Sequence, residues 1–212
     1  MVVQYSDFVK DSLIATEASA LTQAVIEDLE SFAPESKYFL QNFFLNSQLT
    51  AKYNAKTQIA VYHILKRCQF AFTEYQEARR STLDFIAGDS RSIGNYTRAL
   101  HHWEIYLGQC YHVYCLISLL GDSGKLFRKN DGSALQRLNA IYNQLKHVES
   151  RIENNQIPDT GMTPVWLTND GLKSTDSHFT FVECADMLKE LSEWADILQN
   201  PATAASRNQA EP

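Results

Sequence analysis

The sequence predicts an all-α fold: a helical bundle of five to six helices with a small β-hairpin insert before the last helix. Three observations predict it. Glycine and proline number only 8 and 5 in 212 residues, too few for the turns that a sandwich or barrel requires. Apolar residues recur at helical spacing over long stretches. The interval from about Leu49 to Ala87 contains neither glycine nor proline.

A first helix is expected from Ser6 or Asp7 to about Phe32, with Phe8, Leu13, Ile14, Leu21, Val25, Ile26 and Leu29 at helical spacing. Ala33-Pro34 interrupts it, because proline disfavours helix at the preceding residue. A second helix runs from Ser36 to about Asn46 and is dense in aromatics. The glycine-free stretch to Ala87 then reads as one long helix, ended by Gly88-Asp89-Ser90. The next, about Arg91 to Leu120, is apolar nearly all round in its second half, which marks a central helix. Gly121 to Gly124 forms a loop. From about Ser133 to Glu153 one stripe runs through Leu135, Leu138, Ile141, Tyr142, Leu145, Val148 and Ile152. Val165 to Lys173, with its Asn169-Asp170-Gly171 turn, reads as a hairpin that must lie on the helices to be stable. A last helix runs from about Thr180 to Gln199. Residues 1–200 form a single helical domain on this reading, and 201–212 form a disordered tail.

Composition narrows the function classes. Hydrophobic residues are 44% and charged residues 21%, which excludes an intrinsically disordered chain. A formal charge of −6 argues against coating nucleic acid broadly, yet leaves room for a local basic site. Cys68, Cys110, Cys115 and Cys184 form no CxxC pair, so buried reduced thiols are expected rather than a zinc cluster or disulfides. His101, His102 and His112 lack the paired Glu-x-x-His pattern of a di-iron bundle, so neither metal nor cofactor is expected. The N-terminus lacks the build of a signal peptide, and Tyr106 to Leu120 is too short and too polar to span a bilayer. A cytoplasmic protein without membrane association is expected.

One face carries candidate chemistry. Asn143 and His147 are four apart on the predicted helix and share a face, with Lys146 and Arg151 beside them. An imidazole moves protons near neutral pH, and two fixed cations can hold a phosphate or a phosphorane. These parts suit RNA cleavage through the 2′-hydroxyl. The plain alternative is the solvated arc of an amphipathic helix.

The segment Tyr142-Asn143-Gln144-Leu145-Lys146-His147, on a late helix of an all-helical chain, resembles the motif region of HEPN-domain proteins. That family is a helical bundle, often dimeric, whose active members are metal-independent ribonucleases of toxin–antitoxin, abortive-infection and CRISPR systems. Their motif is an arginine, commonly followed by a polar residue, then a histidine four to six positions after the arginine. Asn143 and His147 match the polar and histidine positions, and Tyr142 holds the arginine position. The resemblance implies a homodimer with His147 as the acid–base or phosphate-contacting residue and Asn143 orienting it. Lys146 and Arg151 would bind the RNA phosphate. The rival expectation is a non-catalytic, degenerate HEPN-like dimer that binds a protein partner.

Overall fold

A computed structural model describes residues 5–49, 53–88, 92–120, 126–157 and 161–199. It shows a helical bundle with a small antiparallel sheet ahead of the last helix. In chain order the helices are α1 (Asp7–Leu13), α2 (Phe39–Leu49), α3 (Ala55–Ala87), α4 (Ile93–Leu120), α5 (Ala134–Lys146), α6 (Val148–Glu153) and α7 (Phe181–Gln199). Short 3₁₀ turns occupy Ala18–Ala20 and Pro34–Tyr38. The expected tail beyond residue 200, the Gly121 to Gly124 loop and the Asp89-Ser90 part of the α3–α4 junction lie outside the described residues. Among the described residues no helix is long and apolar enough to cross a membrane.

The two long helices form the frame. Asn54 starts α3 by accepting the N–H of Thr57 through its side chain at 3.0 Å, and Ser92 does the same for Asn95 ahead of α4 at 3.2 Å. Such caps satisfy donors that the first helical turn leaves free. The helices run antiparallel: Phe85 meets Tyr96, Tyr75 meets Trp103 and Tyr106, and Arg67 meets Gln109. Tyr75, Trp103 and Tyr106 pack edge to face with centroids 5.5–5.6 Å apart, a geometry that aromatic quadrupoles favour.

The buried polar tips of this aromatic cluster reach outward to other segments. Tyr75 Oη donates to the carbonyl of Glu27 at 3.0 Å. Tyr106 Oη donates to the carbonyl of Cys184 in α7 at 2.6 Å. Tyr96 Oη accepts the N–H of Leu167 at 3.0 Å, and Tyr114 Oη donates to Glu190 of α7 at 3.0 Å. A buried hydroxyl without a partner is costly, so each bond fixes where the neighbouring segment must lie.

Two expected helices are shorter than their apolar patterns. The first ends at Leu13 instead of continuing to Phe32, and residues 21–30 form an irregular strap across α3. Leu21, Ile26 and Leu29 are buried there, whereas Val25 is 91% exposed. The strap's backbone bonds are taken up from a distance. Asn169 Oδ1 accepts from the N–H groups of Thr22 and Gln23 at 3.0 and 3.2 Å. Arg79 Nε donates to the Ile26 carbonyl at 3.0 Å. These partners replace the i→i−4 ladder. The predicted helix to Glu153 breaks at His147 (φ −118°, ψ 33°), giving α5 and a short α6. No residue of α6 is buried, so the stripe beyond the break has no core surface to cover.

The expected hairpin gains a third strand. β1 (Trp166–Leu167), β2 (Gly171–Lys173) and β3 (His178–Thr180) pair antiparallel in that order. Trp166 faces Lys173 and Gly171 faces Thr180. A Cβ on Gly171 would lie 2.3 Å from the Phe179 carbonyl oxygen, so the close approach of β2 and β3 requires glycine. Cys68, Cys110 and Cys184 are buried free thiols and Cys115 is half-buried. Burial pushes the Cys110 thiol up to about 12, which makes it unreactive.

Two outcomes follow from this packing. Replacing Tyr106 by Phe removes the hydroxyl's bond to the Cys184 carbonyl, and chemical denaturation should show a loss of about 1–2 kcal/mol. Glu104 on α4 has no hydrogen-bond or ion-pair partner among the described residues, and burial pushes its carboxyl up from 4.5 to about 7. Between those values the folded protein keeps a proton that the unfolded chain has released, so stability falls as pH rises through that window. Glu104→Gln should flatten the decline and raise stability at pH 8 by about 1–3 kcal/mol, read from denaturation midpoints across pH.

Candidate functional site

Ser133 starts α5 by accepting the Gln136 N–H through its hydroxyl at 3.1 Å. The helix then lays its apolar stripe on α4, burying Leu138 and Ile141. Tyr142 is half-buried and stacks on Tyr111 of α4 with centroids 4.6 Å apart, and Tyr111 stacks on Phe127 at 4.9 Å. Gly108 makes the approach possible, since a Cβ there would lie 3.3 Å from the Tyr142 ring. The Tyr142 hydroxyl comes within 3.3 Å of His112 Nε2. Burial raises the Tyr142 hydroxyl above its ordinary value, while Arg67 pulls it down.

The four residues singled out from sequence are not gathered into one cleft. Asn143 is half-buried, and its Nδ2 donates to Asn139 Oδ1 at 3.1 Å rather than to an imidazole. His147 is exposed at the break between α5 and α6. Arg151 is half-buried on α6. Lys146, the last residue of α5, is exposed. None of the four lines any of the four main cavities among the described residues. Lys146 does act on a neighbour. Burial holds the His112 imidazole below the ordinary histidine range, and the nearby charges of Arg67 and Lys146 depress it further.

His112 opens onto a groove of about 440 Å³ lined by His63, Arg67, Cys115, Leu116 and Leu119 as well. Arg67 is held there by its bond from Nη1 to Gln109 Oε1 at 3.0 Å. The groove therefore presents two imidazoles and a guanidinium, with Lys146 close by and the Phe127–Tyr111–Tyr142 stack adjoining His112. Guanidinium and ammonium groups bind phosphate oxygens. Partly exposed rings accept stacked bases. A depressed imidazole is neutral at pH 7 and gains charge only in acid.

The sequence pattern raised His112 only as a metal ligand and gave Arg67 no role. Periodicity assigns residues to helix faces, but the register between α3 and α4 decides that Arg67 and His112 line one groove, and the seat of α5 on α4 brings the charge of Lys146 near it. Glu74 lies with its Oε2 2.7 Å from His102 Nδ1. Glu77 pairs with Arg80. Among the described residues no group of three or more His, Cys, Asp or Glu side chains can hold a metal ion.

The chain matches no family model, no curated protein and no solved structure.

The packing separates the two central motif positions. Tyr142→Ala removes a stacked, half-buried ring and should cost about 2 kcal/mol in thermal or chemical denaturation. His147→Ala, at an exposed position, should change stability by less than about 0.5 kcal/mol.

Proposed function

We propose that the protein is a HEPN-like helical protein that binds single-stranded RNA, with the phosphates held by Arg67, Lys146 and the two groove imidazoles. The bases would stack on the two outer rings of the aromatic stack, Phe127 and Tyr142. The observation that carries this reading is the convergence of two cations on His112 beside an aromatic stack, in a chain whose overall charge is −6. An acidic chain that concentrates positive charge in one groove creates a local field for an anion. Single-stranded RNA is the fitting anion, because cations track its backbone and stacking is tolerant of sequence.

Within this reading, metal-independent cleavage in a toxin–antitoxin or phage-defence setting is the activity that the HEPN resemblance implies, with His147 and Asn143 working across a homodimer. Arg151 would add positive charge there. A second reading is favoured by one observation: Tyr142, at the position of the family's arginine, is committed to ring packing. A HEPN-like dimer without catalysis, holding a protein partner, accounts for that.

Fluorescence anisotropy with a 12-nucleotide single-stranded RNA tests the reading. Affinity should fall with rising salt. Arg67→Ala and Lys146→Ala should each weaken binding and lower the salt slope by about 0.7. Phe127→Ala, which removes an outer ring, should cost about 1–3 kcal/mol of binding. Binding should strengthen as pH falls below about 6.5, because His112 gains its charge there, and His112→Ala should reduce that gain. No binding at low salt, or unchanged binding by Arg67→Ala and Lys146→Ala, contradicts the proposal. A nuclease assay in EDTA with His147→Ala beside the wild type separates cleavage from binding alone.

A further inference from the structure

One side of α3 is left open among the described residues. α2 meets the first half of the helix where Phe44 packs on Tyr62, and the strap takes the same flank further on through Tyr75 and Arg79. α4 lies along the other flank, where Arg67 meets Gln109, and α7 lies beneath, with Cys68 Sγ 3.8 Å from the Leu191 carbonyl. Ile59 and Phe70 mark the open side, 62% and 42% exposed.

Positions seven apart keep nearly one direction on a helix, drifting by about 20° per step. Lys56, His63, Phe70, Glu77 and Asp84 form such a row on the open side; Glu77 is half-buried and the rest are exposed. The row spans about 42 Å at 1.5 Å per residue. Charge is ordered along it. Lys56, His63 and the adjoining Lys66 precede Phe70, whereas Glu74, Glu77 and Asp84 follow it. Lys56, Lys66 and Asp84 have no ion-pair partner among the described residues. Arg80, a cation of the second half, is paired with Glu77 of its own helix. The order is self-complementary about Phe70. Lys56 and Asp84 are each fourteen residues from it, His63 and Glu77 seven, and Lys66 and Glu74 four.

We propose that the open side of α3 is the contact between two copies of this chain, with the two α3 helices antiparallel about a two-fold axis at Phe70. An isologous contact requires a surface complementary to itself. This axis sets Lys56 against the partner's Asp84, Lys66 against the partner's Glu74 and His63 against the partner's Glu77. The two Phe70 rings meet at the axis. An in-register parallel pairing would set like charges together at every step, so charge selects the antiparallel one. With one aromatic centre and charged pairs around it, the contact is weak and sensitive to salt. The pairing rests on the order of charge in α3, and on neither the HEPN resemblance nor the RNA reading. His63 also lines the cationic groove, so a second copy and an RNA strand compete at that edge.

Sedimentation velocity of the full chain without RNA, at about 50 mM salt and from about 5 to 500 µM protein, tests it. The wild type should pass from monomer to dimer within that range. Lys66→Glu and Glu77→Lys each set like charges across the axis, and each should weaken the dimer more than about tenfold. An equimolar mixture of the two variants should regain the dimer, because each supplies the charge that the other lacks. The same exchange with Lys56→Asp and Asp84→Lys, at exposed positions, repeats the test where folding is least disturbed. The proposal is overturned by a wild type that stays monomeric throughout, by a dimer that none of these variants weakens, or by mixtures that pair no better than either variant alone.

Discussion

The need of buried tyrosine hydroxyls for partners organises this molecule. Tyr75, Tyr96, Tyr106 and Tyr114 all project from the α3–α4 hairpin, and each directs its polar tip at a segment outside that hairpin. The strap is tied by Tyr75, the sheet by Tyr96, and α7 by Tyr106 and Tyr114. A hydrophobic core alone is not directional. These bonds add direction, and they set the strap, the sheet and the last helix at defined places on one frame.

The frame also decides what the surface can do. Because α3 and α4 are antiparallel with Arg67 opposite Gln109, the guanidinium stands beside His112. Because Gly108 admits Tyr142, the end of α5 brings Lys146 toward the same imidazole. On the strap side, the turn begun by Pro34 buries Ser36 against α3. The cationic groove lies between α3 and α4, and the ion pairs Asp28–Arg79 and Glu77–Arg80 line the opposite, strap side of α3.

Much of the fold was legible in the sequence. The long glycine-free helix, the central apolar helix, the Ser133 cap and the hairpin turn at Asn169–Gly171 are local patterns with local causes. The strap was not legible, because the groups that replace its helical bonds, Tyr75, Arg79 and Asn169, lie about 50 to 150 residues away in sequence. The break at His147 carries neither glycine nor proline, and the stripe continues across it to an Ile152 that is 60% exposed. The candidate site was legible in part. Lys146, named from the sequence, lies near enough to His112 to depress its imidazole, and Tyr142, named only as the residue at the motif's arginine position, packs on Tyr111. Arg67 and His112 join them only through helix register, which apolar spacing does not encode.

The RNA account rests on bases reaching the rings beside His112, and photo-crosslinking tests that contact directly. Single-stranded RNA carrying 4-thiouridine, irradiated with the wild-type protein and mapped by mass spectrometry, should attach within peptides containing Tyr111, Phe127 or Tyr142. Adducts confined to other faces of the bundle, or none above an irradiated mixture in high salt, would contradict it.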